Sequence, residues 1–116
     1  MQIEVKGRNT SVTADLRDHV QRRFAKVARQ VSELARLDVE LSQERNPAIA
    51  ERCVAEATLH LKGTVLRARD ASRDMTHAIN LISDELARQV KRDRDKRRSR
   101  RPGRGAEASE GASPAG

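Results

Sequence analysis

The sequence predicts an α+β fold in the order β-α-β-β-β-α, a four-stranded mixed sheet with two helices packed on one of its faces. Three observations carry that expectation. Residues 74–101, DMTHAINLISDELARQVKRDRDKRRSRR, place Met75, Ala78, Ile79, Ile82, Leu86 and Val90 on one stripe of a helix with 3.6 residues per turn. Leu16, Val20, Phe24, Val27, Val31 and Leu34 recur at the same spacing in an earlier stretch. In the remaining segments apolar residues alternate with polar ones, the two-residue period of a half-buried strand.

Taken in order, residues 1–8 turn Ile3 and Val5 to one face and Gln2, Glu4 and Lys6 to the other, a first strand. Gly7 and Asn9 are expected to loosen the chain into a turn. Thr13 is the predicted N-cap of a helix over about 14–33, and Asp15 suits its positive end. Arg22, Lys26 and Arg29, at i, i+4 and i+7, make a basic stripe on that helix. Leu37, Val39 and Leu41 alternate with Asp38, Glu40 and Ser42 in a second strand, which Arg45-Asn46-Pro47 breaks into a loop reaching about residue 50. Residues 52–62 form a third strand, with Cys53, Ala55, Ala57, Leu59 and Leu61 on one side and Arg52, Glu56, Thr58, His60 and Lys62 on the other. Lys62-Gly63 suits a tight turn into a fourth strand over 64–70, Leu66 and Ala68 inward. Ser72 or Asp74 caps the last helix, whose far side holds His77, Arg88, Lys91 and Arg92 with Asn80 and Asp84 among them.

A β-α-β start is a right-handed crossover, so strands one and two should be parallel. Strands two to four, joined by short links, should be antiparallel. Both helices then lie side by side on one sheet face, with the Arg22/Lys26/Arg29 and Arg88/Lys91/Arg92 rows turned away from it together. Residues 1–97 are expected to form one α+β domain and residues 98–116 a disordered tail, basic and then Gly/Ala/Ser-rich.

Charge bounds the function. The chain of 116 residues has a net charge of +7, and residues 91–104 hold nine Lys/Arg against two Asp. Such a run is either a solvated end or a surface for a polyanion, since Lys/Arg clusters release counterions from nucleic acid. Two basic rows on adjacent helices favour the polyanion. The one aromatic residue, Phe24, falls in the expected core, which leaves no exposed ring to stack bases. Recognition of backbone shape by Lys and Arg, as in structured RNA, is therefore expected.

Catalysis is not expected. Cys53 and His60 are seven apart on one strand and point to opposite faces, so they cannot act as nucleophile and base. His19, His60 and His77 lack metal-ligand spacing, and no glycine loop is placed to cradle phosphate. No metal, cofactor or small-molecule substrate is expected. One cysteine, no apolar opening segment and no run long enough to span a membrane suggest a cytoplasmic protein.

Three blocks, VTADLRDHVQRRFAKV from Val12, ATLHLKG at 57–63 and DMTHAINLISDELARQVKRDRDK at 74–96, resemble the ribosome hibernation-promoting factor / ribosome-associated inhibitor A (sigma-54 modulation protein) family in its short form. The resemblance covers about residues 1–96. It implies a monomeric, non-enzymatic factor that docks on the small ribosomal subunit and the whole ribosome. There it would lie in the channel of mRNA and tRNA, block translation and protect idle ribosomes in starvation or stationary phase. It implies rRNA contacts by Arg17, Arg22, Arg23, Lys26 and Arg29 on the first helix and Arg88, Lys91, Arg92, Arg94, Lys96 and Arg97 on the second. Lys26, Arg88, Arg92, Arg94 and Lys96 match the family pattern most closely. Thr76, Asn80 and Glu85 depart from it, standing where Tyr, Asp and often Lys are usual. No second domain of the kind that pairs ribosomes is recognised. Two alternatives stay open: a general structured-RNA-binding module, or a regulatory protein that binds a protein partner through the exposed sheet face.

Overall fold

The computed structural model describes residues 1–99. Its elements are β1 (Gln2–Arg8), α1 (Ala14–Ala28), β2 (Arg36–Gln43), β3 (Cys53–Leu61), β4 (Thr64–Ser72) and α2 (Met75–Ser99). The order and the sheet are those the sequence predicts. The strands lie side by side as β1-β2-β3-β4, with β1 parallel to β2 and the other neighbours antiparallel. The expected tail lies, from residue 100 on, outside the described residues.

One face of the sheet makes the core. Val5 stands beside Val39, Leu37 beside Leu59, Leu41 beside Ala55, and Ala57 beside both Val39 and Ala68. All of these are buried. Alanines at the middle of β3 and β4 leave room for α2, whose Met75, Ala78, Ile79, Ile82, Leu86 and Val90 are all buried, as their spacing predicts. Val20, Phe24 and Val27 of α1 are fully buried on the same side, and α1 packs against α2. Burying each large apolar side chain contributes roughly 1.5–3 kcal/mol, so this one layer dominates the fold's stability.

The ends of α1 separate what was legible from what was not. Thr13 caps it as expected, its Oγ1 accepting the Leu16 N–H at 3.2 Å, and Asp15 lies in the first turn. The C-terminus comes five residues earlier than the predicted 33. Arg29 is the C-cap, and Ser32 then folds the chain back: its Oγ accepts the Leu34 N–H and its carbonyl the Ala35 N–H, both at 3.0 Å. Leu34, expected in the core, is 91% exposed. Length explains the stop. Fifteen residues of helix span about 22 Å, close to the roughly 26 Å of an eight-residue strand, and five more would overshoot the start of β2.

Gly7 also differs from expectation. It lies inside β1 opposite Leu41, and a Cβ there would stand 2.4 Å from the Thr10 carbonyl oxygen. Glycine lets the following turn fold back onto the strand. Asn9 takes the left-handed conformation with φ 61°, and its Oδ1 accepts a bond from Arg45 Nη2 at 2.7 Å. Gly63, with φ 81°, makes the two-residue β3–β4 turn.

β4 runs two residues past its predicted end, to Ser72 opposite Cys53. The Ser72 hydroxyl lies 2.9 Å from His77 Nδ1 and accepts the Asp74 N–H, while the Asp74 carbonyl accepts the Ala78 N–H. The Asp74 backbone carbonyl thus opens the hydrogen-bond ladder of α2, and Ser72 braces the residue before the helix; in these bonds neither side chain accepts a helix N–H. Among the described residues the other sheet face carries no helix. There Asp38 meets Arg36 at 3.5 Å and His60 at 3.2 Å, and Glu40 meets Arg8 at 3.9 Å. Cys53 is buried on the core face, opposite in direction to His60, with Gln43 Nε2 3.5 Å from its sulfur. Among the described residues no helix is long and apolar enough to cross a membrane.

Candidate nucleic-acid interface

α1 and α2 run together over the sheet, and a groove of about 650 Å³ lies between them on the side away from it. Its lining includes Arg22, Arg23 and Lys26 from α1 and Arg88, Lys91 and Arg94 from α2. Helical spacing explains the selection. Residues 22 and 26, and 91 and 94, are one turn apart, so each helix presents two successive cations to the same trough. Val27 and Ala87 close the floor, where the helices touch.

Polar bonds fix one helix on the other. His19 Nε2 lies 2.7 Å from Asn80 Oδ1, and since a carboxamide oxygen only accepts, His19 is the donor. One turn further on, Arg23 donates through Nε to Ser83 Oγ at 3.3 Å and through Nη2 to Asp84 Oδ1 at 3.0 Å. Ser83 is buried and its hydroxyl donates a hydrogen bond to the Asn80 carbonyl at 2.9 Å. The helical period puts Asn80 and Asp84 on an outward face of α2, and in the structure that face meets α1. A helical wheel shows which residues share a side, not which neighbouring helix that side meets.

The eleven expected contact residues do not form one surface. Six line the groove. Among the described residues, no carboxylate lies within ion-pair distance of Arg22, Lys26, Lys91 or Arg94, so these four face the trough with their charge uncompensated. Arg23 is held by Asp84 and Arg88 by Glu85 at 2.9 Å. Arg92 and Lys96 lie on the other flank of α2, over Thr64 and Leu66 of β4. Arg97 pairs with Asp93 at 3.0 Å and donates to the Lys62 carbonyl at 2.9 Å, tying the far end of α2 to the β3–β4 turn. Arg17 reaches the Val5 carbonyl at 3.3 Å, over β1, and Arg29 sits past the helix it was expected to extend.

Glu85 is the strongest local perturbation. It accepts from Gln89 Nε2 at 3.0 Å and from Arg88 Nε and Nη2 at 3.2 and 2.9 Å, and Arg92 Nη2 lies 3.6 Å away. The Gln89 hydrogen bond first, then that of Arg88, hold its carboxyl below the usual carboxylate range; burial opposes them, and the charges of Arg88 and Arg92 add smaller lowering effects. The spacing, i to i+3 and i+4, is a signal the sequence did contain.

What the site can do follows from its chemistry. Among the described residues no group of three or more His, Cys, Asp or Glu is placed to hold a metal ion. Phe24 is fully buried and offers no stacking surface. The groove is lined by Lys and Arg side chains and has no aromatic platform.

Comparison with known proteins gives a consistent picture. A family model described as sigma 54 modulation protein / S30EA ribosomal protein matches residues 3–98. The chain is 34% identical over 96 residues to the ribosome hibernation promoting factor of Salmonella typhimurium, covering 83% of this chain and 96% of that one. It is 33% identical over 97 residues to the ribosome hibernation promotion factor of a Picosynechococcus strain, covering 83% of this chain but spanning only 50% of that relative's length. Among solved structures it superimposes on the N-terminal domain of Thermus thermophilus Protein Y with a TM-score of 0.70 at 30% identity, over 80% of this chain and 99% of that domain. A ribosomal subunit interface protein from Coxiella burnetii shares the fold, with a TM-score of 0.69 at 16% identity, over 82% and 99% of the two chains.

Proposed function

The chain belongs to the sigma 54 modulation protein / S30EA ribosomal protein family, and from that premise we propose that it is a ribosome hibernation factor that holds rRNA in the groove between its helices. On this reading it docks on the small ribosomal subunit, alone or in the whole ribosome, in the channel that mRNA and tRNA otherwise use. Occupying that channel stops translation and shields an idle ribosome during stress.

The observation that carries the reading is the trough itself: cations from two helices on one side of the molecule, four of them without a carboxylate partner among the described residues. A phosphate backbone supplies evenly spaced negative charge that fits such a trough, and each neutralised phosphate releases counterions. The buried Phe24 agrees with recognition of RNA shape over base identity. The names of the relatives, hibernation promoting factors and a subunit interface protein, supply the ribosome as the RNA in question.

Sedimentation through a sucrose gradient tests it. The expected result is co-migration with small subunits and whole ribosomes at low salt, with release by added tRNA and mRNA. Protein left at the top of the gradient at low salt overturns the reading. Equal binding to any folded RNA, with no preference for the subunit, supports the general structured-RNA module instead.

A further inference from the structure

We infer that Glu85 acts as an internal competitor with the phosphate chain for Arg88 and Arg92, holding both guanidinium groups towards β4 and away from any phosphate in the groove between the helices. The inference deepens the proposed function and rests on its premise that phosphates occupy the groove. Three observations support it.

First, the carboxylate is anchored and the arginines come to it. Gln89 Nε2 donates at once to Glu85 Oε2 at 3.0 Å and to the Arg67 carbonyl of β4 at 2.7 Å. The edge of the sheet thus fixes Gln89, and Gln89 fixes Glu85. The guanidinium of Arg88 then closes on Oε1 through two donors, and Arg92 approaches Oε2.

Second, Glu85 lies on the β4 side and not in the trough. It lines the hollow formed with Arg67, Arg69 and Gln89, and takes no part in the lining of the interhelical groove. Arg88 alone among the α2 cations borders both. It therefore stands at a ridge with two possible positions, one facing Glu85 and one facing the trough.

Third, the bond Glu85 makes is of the kind phosphate would make. A guanidinium offers a planar fork of donors, and carboxylate and phosphate oxygens accept from it in the same way. RNA must displace Glu85 to recruit Arg88, or bind without it. The depressed carboxyl pKa is consistent with a charged competitor throughout the neutral range.

The test uses the full chain and its Glu85→Gln and Glu85→Ala variants, with two probes. One probe is the isolated small subunit, titrated at several salt concentrations. The other is a heparin column, which reads the availability of cations to any polyanion without reference to the ribosome. Removing the charge should tighten subunit binding roughly threefold to tenfold near 0.1 M salt and steepen the plot of log affinity against log salt by about one to two units, at about 0.7–0.9 per phosphate engaged. Both variants should elute from heparin at higher salt than the parent. In the Arg88→Ala, Arg92→Ala background, Glu85→Gln should have no effect on the steepness of that plot. Thermal melts confirm that the variants fold. Unchanged or weaker binding with unchanged heparin elution overturns the inference, and weaker binding means that Glu85 positions the arginines. If the parent chain does not bind subunits at all, the proposed function falls, and the heparin result still decides whether Glu85 masks Arg88 and Arg92.

Discussion

His19 and Asn80 meet across the helix pair, Nε2 of one 2.7 Å from Oδ1 of the other, 61 residues apart in the chain. Both are half-buried, and the bond sits one turn before the Arg23 contacts with Ser83 and Asp84. These links set the register of α1 on α2, and so the width of the groove. Asn80→Ala leaves the imidazole without its acceptor and should cost about 1–2 kcal/mol in urea unfolding, with His19→Ala adding much less in the double variant than alone. Full additivity would mean that the pair contributes nothing to the helix packing.

The four groove cations without carboxylate partners should govern RNA affinity. Each of Arg22→Ala, Lys26→Ala, Lys91→Ala and Arg94→Ala should lower the salt slope of subunit binding by about 0.7–0.9, while stability changes by less than about 0.5 kcal/mol. Arg92→Ala, on the β4 flank and drawn to Glu85, should change that slope less than Lys26→Ala does. An Arg92 effect as large as that of Lys26 would place the RNA over β4.

The two glycines at tight positions should respond to alanine for different reasons. Gly7→Ala forces a methyl within 2.4 Å of the Thr10 carbonyl, so the turn after β1 must move; the expected cost is about 2 kcal/mol or more. At Gly63 nothing lies within 4 Å, and only the positive φ resists a side chain, a cost of about 1 kcal/mol. Thermal unfolding of the two variants should rank them in that order.

Glu85 gives the fold an acid dependence. Its carboxyl pKa is lowered in the folded chain, so its stabilising effect is present above the unfolded value of about 4.3 and is lost as pH falls through the folded value. Its side chain is 38% exposed, so solvent keeps the effect small. Denaturant midpoints of Glu85→Gln should therefore fall less steeply than those of the parent below about pH 5. Identical acid profiles would show that the Gln89 and Arg88 bonds do not survive in solution.

Core and surface leucine-type positions read alike in sequence and should differ in experiment. Phe24→Ala, at a fully buried site, should cost about 3–5 kcal/mol, while Leu34→Ser should change stability by less than about 0.5 kcal/mol. The reason bears on what a sequence discloses. Strand alternation and the α2 stripe were legible because the core selects one face along the whole element. Thr13 was legible because a hydroxyl at a helix start has a local partner. The end of α1 was not: Val31 and Leu34 continue the period, and no Gly or Pro marks the stop. What ends the helix is the need to return to β2, where the Gln2 N–H takes the Ala35 carbonyl at 2.9 Å, a constraint set by a distant strand. The groove was half legible for the same reason. The basic rows could be counted, but their division between the α1 side and the β4 side of α2 depends on neighbours that periodicity does not name.

One consequence of the Gln89 bond reaches beyond binding. β4 is an outer strand of the sheet, and an outer strand with open carbonyls invites another chain to extend the ribbon. Here a side chain already occupies the Arg67 carbonyl at mid-strand, and Arg67 and Arg69 project as exposed charges beside it. A stacking newcomer would have to evict the amide and crowd like charges together. The same glutamine that steadies Glu85 thereby occupies a pairing position at the middle of this edge of the sheet.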